Sequence, residues 1–80
     1  MNLKIIEGHF SNTDAITLIS QMIEVKIKFH EQKIGSHTNF EDIKMRENRI
    51  KKLQHDLTLV NNYLKNNKGN VGINCDLSLS

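Results

Sequence analysis

Apolar positions along this chain follow three different rhythms, and each change of rhythm marks an element. In residues 2–10, NLKIIEGHF, the adjacent Ile5 and Ile6 followed by Gly8 suit a short strand or extended arm better than a helical turn. Ser11 and Asp14 then have the spacing of a capping box, and Phe10, just before the cap, is placed to staple onto Ala15. Over residues 12–34 the apolar residues, among them Ala15, Ile19, Met22, Ile23, Val25 and Phe29, recur at three- and four-residue spacings. This predicts an amphipathic helix. At 100° per residue its apolar positions cover an arc of roughly 200°, about twice what one partner helix buries. The first helix therefore calls for more than one neighbour.

Gly35 stands where a left-handed C-terminal cap belongs, and Thr38 with Glu41 offers a second capping box. A loop this short favours antiparallel neighbours. Over residues 39–68 the positions Ile43, Arg46, Ile50, Leu53, Leu57, Val60 and Leu64 alternate three and four apart. They form a heptad seam interrupted once, by Arg46. Asp42 with Arg46 and Glu47 with Lys51 add acid-before-base pairs at i,i+4. After Gly69 the period becomes two: Val71, Ile73, Cys75, Leu77 and Leu79 are apolar and the positions between them are not. Residues 70–80 therefore read as a half-buried strand, against the alternative of a frayed tail.

In an antiparallel hairpin both terminal segments leave from the same open end, where they can pair as a two-stranded ribbon. Such a ribbon is marginal in water unless a helix face, a second protomer or a foreign sheet edge covers it. The expected fold is thus mainly α: a single domain over residues 1–80, an antiparallel, coiled-coil-like two-helix hairpin with short terminal β-strands, completed by dimerisation into a four-helix bundle. With 80 residues the chain sits near the size at which one core is barely sufficient, which points the same way.

Composition narrows the function classes. Eleven Lys and Arg against nine Asp and Glu leave a formal charge of +2, far from the balance of a dedicated nucleic-acid binder. The single cysteine, Cys75, cannot close an intramolecular disulfide and sits on the apolar parity of the last strand, where a small buried hydrophobe is the usual role. No apolar run exceeds two residues, so neither a signal-peptide core nor a membrane span is present in the sequence, and a cytoplasmic location is expected.

The candidate chemistry is sparse. Lys26, His30 and Lys33 fall inside the apolar arc of the first helix near its C-terminal end, and Arg46 breaks the seam of the second helix near its start. Antiparallel packing brings these ends together, giving a basic cluster that suits an anion or an acidic peptide. The competing reading is that long stems cover apolar surface and pair with Glu31, Asp42 and Glu47, and the balance of charges favours it. His9, His30, His37 and His55 include no i,i+4 pair; only His30 and His37 could meet across the loop, so metal binding is not expected. No nucleophile stands beside a base, and no cofactor motif is present; an enzyme is not expected.

The runs IEGHFS, KIKFHEQKI and EDIKMRENRIKKLQ resemble a group of small uncharacterised bacterial helical-hairpin proteins over about Ile5 to Leu64. That resemblance implies the hairpin and no site residues, and the tail after Gly69 lies outside it. The expected function is a homo-oligomeric interaction or structural module, a dimer with itself, with a further protein partner open and no membrane partner. The alternative is a weak nucleic-acid-associated regulator using Lys44, Arg49, Lys51 and Lys52.

Overall fold

A computed structural model describes the chain except for His37, Thr38, Lys68 and the side chain of Ser36. Its elements run in the order β1 (Asn2–Ser11), α1 (Asn12–Ser36), α2 (Phe40–Asn66) and β2 (Asn70–Ser78). The protein is mainly helical, with the two strands forming one antiparallel two-stranded sheet.

The ribbon's register explains an irregularity in the sequence. Phe10 faces Val71, Gly8 faces Ile73 and Ile6 faces Cys75, so the even residues of β1 share a face with the odd residues of β2. Leu3 is odd, yet it faces Leu77 on the same side. The parity is reconciled by a bulge between Lys4 and Ile6 that leaves Ile5 without a partner and turns its side chain out, half exposed. The ends are tied together beyond the ladder: Leu79 N–H donates to the Met1 carbonyl at 2.7 Å, and the Met1 ammonium to the Leu79 carbonyl at 2.8 Å. Lys4 bonds Asn74 at 3.4 Å and pairs with Asp76 at 3.6 Å, on exposed side chains. The alternating tail is therefore an ordered strand.

Strand passes directly into helix at Ser11, whose hydroxyl accepts from the Asp14 N–H at 3.1 Å. That is the first limb of the expected capping box; among the described residues no bond returns from the Asp14 carboxylate. At the other end of α1 the expectation of a left-handed cap at Gly35 is corrected. Positive φ angles occur at Gly8 and Gly69, and Gly35 is helical, inside the last turn. One glycine costs a helix about 1 kcal/mol, which weakens a turn without ending it. The cap expected at Thr38 lies outside the described residues. The start of α2 is held one residue later, by Asn39, whose side-chain oxygen accepts from the Glu41 N–H at 2.9 Å.

The two helices pack along the seam read from the sequence. On α2, Ile43, Arg46, Ile50, Leu53, Leu57 and Val60 are half-buried and Leu64 is buried; on α1, which packs against it, Ile16, Ile19, Ile23, Ile27 and Ile34 are half-buried. Neither i,i+4 pair expected on α2, Asp42 with Arg46 or Glu47 with Lys51, closes within ion-pair distance among the described residues. Arg46 turns inward to α1 instead.

Among the described residues, only Ala15, in the first turn of α1, and Leu64, at the end of α2, are buried apolar residues. Both lie at the open end of the hairpin, where the ribbon leaves. Away from that point the ribbon and the hairpin splay, and the Cα trace spans 46 × 32 × 13 Å. A compact chain of this length has a radius of gyration of about 12 Å; this one has 15.1 Å. Its accessible surface is 6245 Å², against about 4,900 Å² for a folded monomer of this mass.

Candidate functional site

Two places on the molecule gather chemistry, and the helix pair positions both. The first is the basic junction near the loop. In an antiparallel pair, moving back along α1 matches moving forward along α2, so the contact of His30 with Arg46 sets the register for the turn beyond it. Four residues back on α1 is Lys26; three and six residues on along α2 are Arg49 and Lys52.

Arg46 Nη1 lies 3.0 Å from His30 Nδ1. Guanidinium is donor-only, so Arg46 donates and Nδ1 accepts, which assigns the histidine proton to Nε2 and leaves the ring neutral. Desolvation between the helices, followed by the charges of Arg46, Arg49 and Lys26, lowers the His30 pKa below its ordinary value of 6.5. The bond and the electrostatics agree on a neutral imidazole. Phe29 organises the outer side of the junction: its ring meets His30 edge-on at 5.6 Å, with Lys33 Nζ at 5.7 Å and the Arg46 guanidinium carbon at 5.8 Å from its centroid. Both cations are in cation–π range. Arg46 Nε is buried without an acceptor.

Of the four residues singled out in the sequence, the structure brings His30, Lys33 and Arg46 together around Phe29 and sets Lys26 one turn away, beside a separate recess. That recess, of about 160 Å³, is lined by Lys26, His30, Arg49, Lys52, Leu53 and Asp56. Arg49 and Lys52 were missed as members of the cluster, although the register of a single His30–Arg46 contact would have found them. In the sequence they group with Lys44 and Lys51 as the alternative nucleic-acid stripe. The structure splits that group: Lys44, Arg49 and Lys52 border a shallow concavity on the outer side of α2 with Phe40, Glu41 and Met45, and Lys51 does not.

The second place is an open cleft of about 650 Å³ between the ribbon and the hairpin. Ile6, Ile73 and Cys75 form its ribbon wall, and Ile19, Met22, Ile23 and Val25 its wall on α1, with Leu53, Lys26 and Asp56 at the edge. The apolar stripe continues along α1 to Phe29, which is 51% exposed, and Val25 is 67% exposed. These residues account for the part of the 200° arc that α2 leaves uncovered.

Among the described residues no group of three or more His, Cys, Asp or Glu is arranged to hold a metal ion, and the His30–His37 pairing rests on a residue outside them. No helix is long and apolar enough to cross a membrane. Comparison with protein-family models, with curated proteins and with solved structures finds no match for this chain.

Proposed function

We infer that this protein is a self-associating interaction module, in which two copies close their ribbon–hairpin clefts on each other. One observation carries the reading: the chain exposes on the order of 1,300 Å² more surface than a folded monomer of its mass. Removing that excess on each of two copies would place the contact in the range of obligate homodimers, above the roughly 800 Å² per partner of an ordinary stable complex.

The cleft supplies the surface. Its walls are apolar on both sides, and the apolar stripe continues along α1 to the exposed Phe29. A twofold contact pairs identical patches and closes without leaving an edge, which suits a surface made of one helix stripe and one ribbon face. Antiparallel helix pairs meeting this way form a four-helix bundle, with the ribbons at its flanks. The small net charge, +2 per chain, imposes little repulsion between copies.

Sedimentation equilibrium on the full chain tests the reading. The expected result is twice 9.2 kDa at micromolar concentration. A stable 9.2 kDa species across the micromolar range would overturn it.

A further inference from the structure

The basic recess adjoins the apolar cleft, sharing Lys26, Leu53 and Asp56 with it, but its His30, Arg49 and Lys52 lie outside the cleft. Lys26 comes to it from α1, Arg49 and Lys52 come from α2, and Asp56 is the only acid on its wall. None of the three cations has an ion-pair partner among the described residues, and neither does Asp56. Three positive charges from two helices therefore border a small recess with one negative charge to offset them, and His30 on its wall is neutral. A neutral imidazole with the proton on Nε2 is a further donor.

We propose that the recess formed by Lys26, His30, Arg49 and Lys52 binds a single phosphoryl oxyanion. The charge count selects the class. A carboxylate supplies one negative charge, whereas a phosphate near neutral pH supplies between one and two and has more acceptor oxygens for donors arriving from two helices. Arg49 supplies a planar fork for two oxygens, and the two lysines act as point charges. The site's small volume, about 160 Å³, suits the phosphoryl group itself, with any remainder of a larger ligand lying outside the recess.

The experiment is a titration of the full-length protein followed by the NMR signals of its histidine rings, with sodium chloride matching ionic strength. Inorganic phosphate, phenyl phosphate and acetate are the probes. Phosphate is expected to give a saturable shift of the His30 signals and to raise the His30 pKa toward its ordinary value, because a bound anion offsets the field of Arg46, Arg49 and Lys26. Equal affinity for phosphate and phenyl phosphate assigns the site to the free ion; tighter binding of the ester assigns it to a phosphoryl group carried by a larger ligand. Lys26→Gln and Arg49→Gln, both at exposed positions, should each weaken binding about tenfold, the worth of one charge-assisted hydrogen bond. Asp56→Asn should tighten it by removing the opposing charge. A shift that the chloride control reproduces, an equal response to acetate, or no effect of Lys26→Gln and Arg49→Gln together would overturn the proposal. None of these results bears on the solution mass, so the dimer stands or falls separately.

Discussion

At the scale of single residues, the seam of α2 is written plainly and its one exception carries the most information. Arg46 occupies a seam position, and the sequence offered it an acid at i−4, Asp42. The structure gives it His30 and the Phe29 ring instead. The physical reason is position: a residue on the seam points at the other helix, where a surface carboxylate on its own helix cannot follow without leaving water. This choice has a pH consequence. His30 is held neutral in the folded chain, by desolvation first and then by three neighbouring cations, so the unfolded chain takes up the proton first as pH falls. A base with a lowered folded pKa contributes stability above its unfolded value, near 6.5, and loses it as pH falls below that value. Protonation also turns Nδ1 into a donor facing a donor and breaks the bond to Arg46. The melting temperature is expected to drop between about pH 7.5 and about pH 5.5, around the histidine range, and His30→Gln should flatten that part of the profile. An unchanged slope in the variant would place the pH dependence elsewhere.

At the scale of elements, both helices and the final strand were legible because each has a periodicity long enough to override local noise. The less legible features were those that depend on partners. Nothing local distinguishes Gly35, which stays helical, from Gly69, which adopts a positive φ of 100°. The glycine signal is the same in both, and only at Gly69 must the chain leave a helix to meet a strand fixed by β1. The bulge at Ile5 is another case, since β1 by itself offers two competing parities, Leu3 and Ile5 against Ile6 and Phe10. The register with β2 settles it, and it makes a direct prediction. Deleting Ile5 leaves every observed pair from Asn2–Ser78 to Ser11–Asn70 intact and converts the ribbon to a regular ladder. Stability should then change by no more than about 0.5 kcal/mol in denaturant unfolding, the ordinary range for a surface change. Deleting His9 instead removes a paired residue and slides Glu7 into the position facing Ile73, on the cleft side, and should cost more. If both deletions cost the same, the bulge is not where the register is reconciled.

At the scale of the whole molecule, the width of the apolar arc on α1 was visible in the sequence, and the structure shows what it leaves over. The seam with α2 takes up the Ile16, Ile23, Ile27 and Ile34 side of the helix, the ribbon covers its first turns, and Met22, Val25 and Phe29 remain exposed at 38%, 67% and 51%. What the sequence could not show is that the ribbon splays from the hairpin and turns the leftover stripe into one wall of a cleft, because that angle is set by how two elements far apart in the chain pack at Ala15 and Leu64. Val25→Glu separates the two accounts of this surface. If the stripe faces water in the working protein, replacing an exposed valine with a charge moves stability by no more than about 0.5 kcal/mol and leaves the mass alone. If it faces a second copy, the substitution buries two like charges near a twofold axis, which should halve the solution mass and lower the melting temperature. Where folding and association are one event, stability also follows protomer concentration. The unaltered chain should therefore melt at a higher temperature with each tenfold increase in concentration, while Val25→Glu should melt at a temperature independent of it. Concentration-independent melting in the unaltered chain would mean that the hairpin and ribbon are stable without a partner, with their apolar cleft open to solvent.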